Sequence, residues 1–475
     1  MPNGIAYLML LAWPVICVIL FRRQSVERAL LWSILGGYLF LPPRAEFNLP
    51  LVPAMDKVSI PNLSVLAILF FDKRHRLQLW PQHWLARILV LGLVLSAIPT
   101  VLTNRDPILF QVLRDADPIV FLIDALPGQS ARDIGSVLIA QILMIVPFLL
   151  ARQFLSTETG LREMLLALMV GGLIYSIPSL IEIRFSPQMN VWVYGFFQHS
   201  FEQMIRGDGF RPIVFLPHGL WLAFFVLTTI VAAAALARVG GRAHWRRNFA
   251  IVGYLTVLLV LCKSAASLLY GLLLLPVTLF LSTRWQLRLA MVFALIAVSY
   301  PMLRNLNVIP LDTVVERAAA ISPERAHSLE YRFINEEQML ARAAERPLYG
   351  WGGWGRNLVR HSETGEIESI PDGRWIIVFG TFGWVGYLCE FGLLALPLML
   401  MGMISFRRSV ALSSPLIGPV ALILGITMID MLLNATLTPL TWLAAGAVLG
   451  YAERLMARHR TGSRYILSEK PVMSG

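Results

Sequence analysis

The residues of this chain best suited to chemistry are arginines that lie between long apolar stretches. The segment 304–374 is the longest polar stretch, and it contains nine arginines and no lysine. A guanidinium group can bind phosphate oxygens through two parallel hydrogen bonds, so such a segment suits a phosphate or diphosphate ligand. Pairing with acids of the same segment is the simpler expectation for any one arginine. Those acids include Glu324, Glu330, Glu336, Glu337, Glu345 and Asp372.

Within this segment, the spacing of apolar residues predicts a helix over 328–346. Ser328 is suited to cap its start, and Pro347 would end it. Arg332 lies in the first turns of that helix. The helix leads into Pro-Leu-Tyr-Gly-Trp-Gly-Gly-Trp-Gly at 347–355, where glycines permit a tight backbone turn close to a ligand.

A second polar segment, at 182–217, combines aromatic and cationic residues. Arg211 comes shortly before His218, which stands at the predicted start of an apolar helix, so its charge could meet a lipid headgroup. The aromatic residues most simply form a belt at the membrane surface, although aromatic faces also stack on sugars. They are Trp192, Tyr194, Phe196, Phe197 and Phe201.

Several familiar chemistries find no support in the sequence. Gly350, Gly352 and Gly355 spell GxGxxG, but no strand precedes them and no βαβ unit follows, which argues against a dinucleotide site. There is no P-loop, no GxSxG elbow and no His/Cys/carboxylate group with zinc spacing, so we expect no metal. The three cysteines are far apart within apolar runs, which does not suggest a disulfide framework.

The elements that must position these residues are membrane helices. Of 475 residues, 57% are hydrophobic and 15% are charged, and the mean hydropathy is +0.66. Apolar runs of roughly 20 residues, the length that crosses a bilayer, recur from end to end. The sequence therefore predicts an all-α polytopic membrane protein of about twelve or thirteen transmembrane helices.

The net charge of +11 is divided into small basic clusters in alternate connections between apolar runs. This is the positive-inside pattern of cytoplasmic loops, and it is not the single basic patch of a nucleic-acid binder. We therefore expect the bilayer to be a partner and nucleic acid not to be one. The pattern places the C-terminus in the cytoplasm.

The predicted organisation follows from this topology. Residues 1–303 form an N-terminal helix bundle with outer loops near 104–133 and 182–217. A large, partly helical outer loop spans 304–375. Residues 376–460 form the last transmembrane helices, and 461–475 form a cytoplasmic tail.

The order of these features resembles the O-antigen ligase and Wzy-type polysaccharide polymerase superfamily of bacterial membrane proteins. The matching features are Arg211 with His218, the Lys-Ser-Ala-Ala-Ser run at 263–267, and Ser-x-x-x-Arg ending at Arg332, followed by Pro-Leu-Tyr-Gly-Trp-Gly at 347–352. The Arg332 motif with its turn is the most specific element. The resemblance covers roughly 170–450, and the first 170 residues contribute only hydropathy.

This resemblance implies a glycosyltransferase with a GT-C-like arrangement, acting on the periplasmic face of the bacterial inner membrane. It would use no cofactor and would take glycans from undecaprenyl diphosphate. Arg211 and Arg332 would bind the diphosphate, with Arg325 as a weaker candidate, and fixed guanidinium groups can stabilise that leaving group. Further residues expected to contact substrate are Arg206, Lys263, Arg374, Trp351 and Trp354. A flippase and a chain-length regulator are possible protein partners.

The general base is the point at which this sequence departs from the family. Ligases typically have a His-Asn pair before the helix that follows the large loop, whereas this chain has Pro-Asp-Gly-Arg at 371–374. Asp372 could replace the histidine, and His218 and Glu202 are the alternatives. The departure favours a polymerase over a ligase that transfers glycan to lipid A core.

Two readings from other classes stay open. A flippase for lipid-linked glycans would also have many helices, but transporters usually show internal repeats and mid-membrane charges. Here no repeat is evident, and Glu390 and Asp430 are the main intramembrane acids. A non-catalytic envelope scaffold would tolerate the loss of Arg332.

Overall fold

The computed structural model describes residues 1–48, 52–114, 120–207, 209–306, 308, 310–321, 323–361 and 364–468. It describes the backbone alone at 111–114, 120–124, 242–245, 305, 312, 314, 318, 321, 324, 325, 328 and 460–468. The predicted contact of Arg325 therefore falls outside the described side chains. All side chains of the predicted tail, 461–475, do so as well, although the backbone of the last helix continues past residue 460 to Ser468.

Helices account for 71% of the chain. In the first half they are α1 (Gly4–Arg23), α2 (Val26–Phe40), α3 (Ser59–Phe71), α4 (Trp84–Leu95), α5 (Ala97–Leu102), α6 (Ala131–Phe154), α7 (Glu158–Phe185), α8 (Met189–Tyr194) and α9 (Gly219–Val239). In the second half they are α10 (Gly241–Leu261), α11 (Ala265–Phe280), α12 (Thr283–Asn305), α13 (Leu311–Ile321), α14 (Pro323–Ala344), α15 (Arg374–Phe406), α16 (Ile417–Leu433) and α17 (Pro439–Ser468).

The chain is an all-α polytopic membrane protein. Within the described residues, seven helical stretches are long and apolar enough to cross a bilayer. They are Gly4–Arg23, Trp84–Leu102, Ala131–Phe154, Glu158–Phe185, Gly219–Val239, Thr283–Arg304 and Arg374–Phe406. Three shorter apolar helices, α3, α11 and α16, pack among them.

Burial separates central helices from peripheral ones. The apolar side chains of α9 are almost all buried, and this helix packs against α7, α10 and α11. In α1, by contrast, Leu8, Leu11 and Val15 recur at helical spacing and are each more than 60% exposed. In a membrane protein such an apolar stripe faces lipid, which places α1 at the edge of the bundle.

A β-hairpin interrupts the helical pattern. Strand β1 (Ile108–Arg114) pairs antiparallel with β2 (Val120–Leu126), with Ile108 opposite Leu126. It lies within the predicted outer loop 104–133. Residues 115–119 at its tip are outside the described residues.

The late polar segment contains two helices, α13 and α14. Helix α14 contains most of the predicted helix, but it begins at Pro323 rather than at Ser328, so the predicted cap at Ser328 is wrong. Proline is favoured in the first turn because its missing N–H group needs no partner there. The helix ends at Ala344, before Pro347.

The glycine-rich turn that follows α14 packs against α15. Gly350 and Gly352 have φ angles of 68° and 77°, which L side chains rarely adopt. The N–H group of Trp351 donates to the carbonyl of Gly380 (2.8 Å) next to the bend of α15 at Gly383, where φ is 64°. The backbone approaches another helix here rather than an open ligand space.

Candidate functional site

Arg211 is a buried cation at the start of α9. Its side chain is 6% exposed, and its Cγ and Cδ atoms cross the N-terminus of α9 so closely that a Cβ atom at Gly219 would lie 2.4 Å from Cδ. Its Nη2 atom donates to the carbonyl of Lys263 (3.0 Å). Among the residues that the structure describes, no carboxylate oxygen lies within 4.0 Å of this guanidinium group.

Lys263 links Arg211 to Arg206. The φ angle of Lys263 is 51°, which turns the chain sharply before Ser264 starts helix α11. Its Nζ atom donates to the carbonyl of Arg206 (2.6 Å). Helix α11 begins within the Lys-Ser-Ala-Ala-Ser run at 263–267. Three predicted cations, Arg206, Arg211 and Lys263, lie in one cluster.

His218 serves as the N-cap of α9. Its Nδ1 atom accepts a hydrogen bond from the N–H group of Leu220 (2.9 Å), and its Nε2 atom lies 3.3 Å from Oε1 of Gln203. Burial, and then the neighbouring His199 and Arg211, lower the pKa of His218 to about 3, so the ring is neutral near pH 7. Because Nδ1 accepts, Nε2 carries the proton. The lone pair of His218 therefore faces its own helix.

Arg332 and Asp372 face each other across a small pocket. Nε of Arg332 lies 3.4 Å from Oδ2 of Asp372, and Nη1 donates to the carbonyl of Leu433 (3.3 Å). The pocket is partly open, with about 250 Å³ of empty space that includes adjoining solvent, and Glu336 contributes to its wall. Burial raises the pKa of Asp372 above its ordinary value, and the charge of Arg332 opposes that rise.

Glu336 lies one turn after Arg332 on α14 and is 7% exposed. Its Oε1 atom accepts hydrogen bonds from Nε of Arg304 (3.0 Å) and from the hydroxyl of Tyr300 (3.1 Å). The sequence had indicated it only as one of many pairing acids. Its spacing of four residues from Arg332 is the signal that places both on one helix face.

Arg332 lies near enough to Arg211 for the two positive charges to affect each other. The pKa of Arg211 is lowered to about 10, first by burial and then by the positive charges of Arg206 and Arg332. The charge of Arg332 also lowers the pKa of His218. Groups that repel each other in this way attract an anion placed between them. The structure thus brings Arg206, Arg211, His218, Lys263, Arg332 and Asp372 to one region.

Three other residues predicted to contact substrate, Arg374, Trp351 and Trp354, make no described contact with this cationic region. Arg374 makes two 2.7 Å hydrogen bonds to the carboxylate of the buried Glu390. Trp351 is 7% exposed, and the guanidinium groups of Arg342 and Arg346 lie 3.4 Å and 4.4 Å from its ring centroid. Trp354, in contrast, is 58% exposed.

A second cavity lies deeper in the helix bundle. It encloses about 460 Å³, part of it open, and is lined by aromatic and threonine side chains of α2, α9, α16 and the start of α17. Thr436 lines it and donates to Oδ2 of Asp430 (2.6 Å), in the same turn of α16 that ends at Leu433. The carbonyl of Leu433 binds Arg332, so the cavity adjoins the charged region.

Across the described part of the chain, no group of three or more His, Cys, Asp or Glu side chains is arranged to hold a metal ion. The cationic region around Arg211 and Arg332 is the candidate site. Neither a scan against protein-family models nor a search of curated proteins found a match for this chain.

Proposed function

We propose that the protein is a membrane glycosyltransferase that polymerises lipid-linked oligosaccharide repeat units into a surface polysaccharide. The donor is a glycan on undecaprenyl diphosphate, and no nucleotide sugar takes part. The site lies on the periplasmic face of a bacterial inner membrane. About twelve or thirteen helices cross that membrane, and the C-terminus is cytoplasmic.

One observation carries the proposal: Arg211 is a buried arginine without a described carboxylate partner, and Arg332 is close enough to lower its pKa. Several other arginines of the late segment are bound by acids or by carbonyl oxygens, although only Arg304, Arg332 and Arg342 pair with acids of that segment in the described part of the chain. Arg304, Arg342 and Arg374, for example, are paired with Glu336, Glu345 and Glu390. An isolated buried cation costs free energy, which a bound anion would offset.

The proposed reaction assigns a role to each group. The acceptor hydroxyl attacks the anomeric carbon of the donor sugar, and the bond from that carbon to the diphosphate oxygen breaks. The diphosphate leaves with the electron pair, and Arg211 and Arg332 stabilise the charge that develops on it. Asp372 takes the hydroxyl proton, because its raised pKa suits a general base better than that of an ordinary aspartate. His218 caps α9 and stays neutral.

The arrangement also fits a ligase, since the leaving group is the same and only the acceptor differs. A flippase would need charges along a path through the bundle, whereas the cluster around Arg211 lies at helix starts and loops. This placement favours glycan transfer on the periplasmic face over transport through the bundle.

Deleting the gene in its host and analysing surface glycans and lipid-linked intermediates tests this proposal. We expect single repeat units on undecaprenyl diphosphate to accumulate, with no long polymer. Full-length polymer stranded on the lipid carrier would indicate a ligase instead. Intermediates retained on the cytoplasmic face would indicate a flippase and would overturn the enzyme proposal.

A further inference from the structure

The chain from 211 to 217, called the Arg211 loop from here on, is buried although it belongs to no helix or strand. Ile213, Val214 and Leu216 are 0% exposed. Buried backbone N–H and C=O groups need partners, and irregular backbone supplies few of them itself. Within the loop, the N–H group of Leu216 donates to the carbonyl of Ile213 (3.0 Å). Side chains from distant parts of the chain provide most of the other partners.

Glu182, near the end of α7, holds the loop from one side. Its side chain is 0% exposed, and its Oε2 atom accepts hydrogen bonds from the N–H groups of Ile213 (2.7 Å) and Val214 (2.8 Å). Its Oε1 atom accepts from the N–H group of Met189 (2.9 Å). One carboxylate therefore joins α7, α8 and the Arg211 loop.

Lys57 and Tyr175 hold the next residue. The Nζ atom of Lys57, which is 4% exposed, donates to the carbonyl of Phe215 (2.9 Å). The hydroxyl of Tyr175 accepts from the N–H group of the same residue (3.0 Å). Gln198 adds donations from Nε2 to the carbonyls of Val214 and Leu216. Both polar backbone groups of Phe215 are thus bound by side chains.

These contacts impose an unfavourable backbone conformation. The φ angle of Val214 is 53°, in the left-handed region that β-branched residues avoid. Such a residue keeps that conformation only where its surroundings enforce it, and this is common at functional sites. Only Pro212, whose ring fixes its φ angle, separates Arg211 from Ile213 and Val214, the residues that Glu182 holds. A change at Val214 would therefore be transmitted to Arg211.

We infer that Glu182 and Lys57 are positioning residues that hold the Arg211 loop in its strained conformation and so aim Arg211 at the donor diphosphate. Neither residue contacts the substrate in this account. The inference rests on the proposed function for the identity of the ligand, but the loop conformation can be measured without it.

The first test is amide hydrogen exchange of the full-length protein in nanodiscs. Glutamine has one side-chain oxygen and one NH₂ group, which cannot accept a hydrogen bond. In Glu182→Gln, either the N–H group of Met189 or the N–H groups of Ile213 and Val214 therefore lose their acceptor. We expect exchange in a peptide covering 204–219 to rise about ten-fold or more. Unchanged exchange there would overturn the inference, whatever the protein's activity.

The second test measures the affinity for undecaprenyl diphosphate in the same nanodiscs. A displacement of a binding group of about 1 Å can cost on the order of a hundred-fold, so we expect Glu182→Gln to weaken binding at least ten-fold. Glu182→Asp, which retains both carboxylate oxygens, should recover part of the loss. In an Arg211→Ala background, Glu182→Gln should not weaken diphosphate binding further, because Glu182 acts on binding only through the arginine side chain that this variant lacks. Additive losses would contradict the inference.

A matched control exists at the far end of α6. Glu453 is also a buried carboxylate that accepts two backbone N–H groups, from Gln82 and His83, and it is paired with Arg152. Glu453→Gln should lower thermal stability without changing exchange at 204–219 or diphosphate affinity.

If Glu182→Gln fails to fold, Lys57→Met and Tyr175→Phe remove one contact each and should raise exchange in the same peptide. Wild-type protein that shows loop protection but no diphosphate binding would reject the proposed function and leave the loop result standing.

Discussion

The Nε atom of Arg332 lies 3.4 Å from Oδ2 of Asp372, and both residues line the same pocket. At this distance the contact is a weak ion pair, and both side chains keep some solvent exposure. A diphosphate that binds Arg332 must compete with this carboxylate. Once displaced, the carboxylate would stand beside the reacting atoms, where a base is required.

Asp372→Asn is expected to separate binding from chemistry. Removing the competing negative charge should tighten the binding of undecaprenyl diphosphate several-fold. Loss of the base should slow transfer by about 10²–10⁴-fold. Affinity measurements and single-turnover rates on the same preparation would check both parts. Weaker binding together with a normal transfer rate would show that Asp372 only orients Arg332.

The pH dependence of transfer should report the same carboxylate. Burial raises the pKa of Asp372, and the base works only when deprotonated, so the rate should rise with pH through that raised pKa. The acid limb should therefore lie above the ordinary aspartate value of about 3.9. Arg332 opposes the rise, so Arg332→Gln should move the limb to higher pH. An identical acid limb in Asp372→Asn would assign it to another group.

Gly219→Ala should impair function without harming the fold. A Cβ atom at Gly219 would lie 2.4 Å from Cδ and 2.6 Å from Cγ of Arg211, so the arginine side chain must move. It would also lie 3.1 Å from the carbonyl oxygen of Pro212, and the better helix propensity of alanine offsets part of that tight contact. We expect a drop in diphosphate affinity with only a small change in thermal stability. Gly135→Ala, which would meet no atom within 4 Å, is the control and should bind normally.

His218 is expected to matter as a helix cap. Its Nδ1 atom accepts from the N–H group of Leu220, a role that asparagine can also fill. His218→Asn should therefore keep most of the transfer activity, whereas His218→Ala should lose about 1 kcal/mol of stability. Thermal unfolding and transfer assays of both variants distinguish the roles. Loss of transfer in stably folded His218→Asn would restore histidine as a candidate base.

Local patterns in the sequence predicted much of the helical structure. The apolar runs indicated the long membrane helices, and residue spacing indicated a helix around Arg332 that ends before Pro347. Arg211 was correctly expected just ahead of a helix start, now at Gly219. Each of these features depends on neighbours along the chain, which is why periodicity and helix-stop residues reveal them.

Contacts between distant residues could not be predicted in this way. Lys57 and Phe215 are 158 positions apart, and Thr100 and Tyr349 are 249 apart, yet each pair is joined by a hydrogen bond. Hydropathy places such residues in loops or helices but carries no information on which loops meet. For the same reason the first 170 residues seemed to contribute only hydropathy, whereas Lys57 supports the candidate site.

Trp351 shows that exposure cannot be inferred from a residue's place in a glycine-rich turn. From the sequence, this tryptophan was expected to contact substrate. In the structure its ring lies beside Arg342 and Arg346, and its Nε1 atom donates to the carbonyl of Arg342 (2.7 Å). Two nearby cations and one carbonyl stabilise the ring where it is, which a single sequence does not disclose.

The proposed transfer reaction is tested with purified protein in proteoliposomes and lipid-linked intermediates extracted from the deletion strain. Wild-type protein should join repeat units and release undecaprenyl diphosphate, and Arg332→Ala should reduce this at least a hundred-fold while remaining folded. Arg342→Ala, which removes contacts with the exposed Glu345 and with the ring of Trp351 but none with the Arg332 pocket, is the control and should stay active. Equal transfer by Arg332→Ala and wild-type protein, or translocation of the lipid without any transfer, would contradict the account.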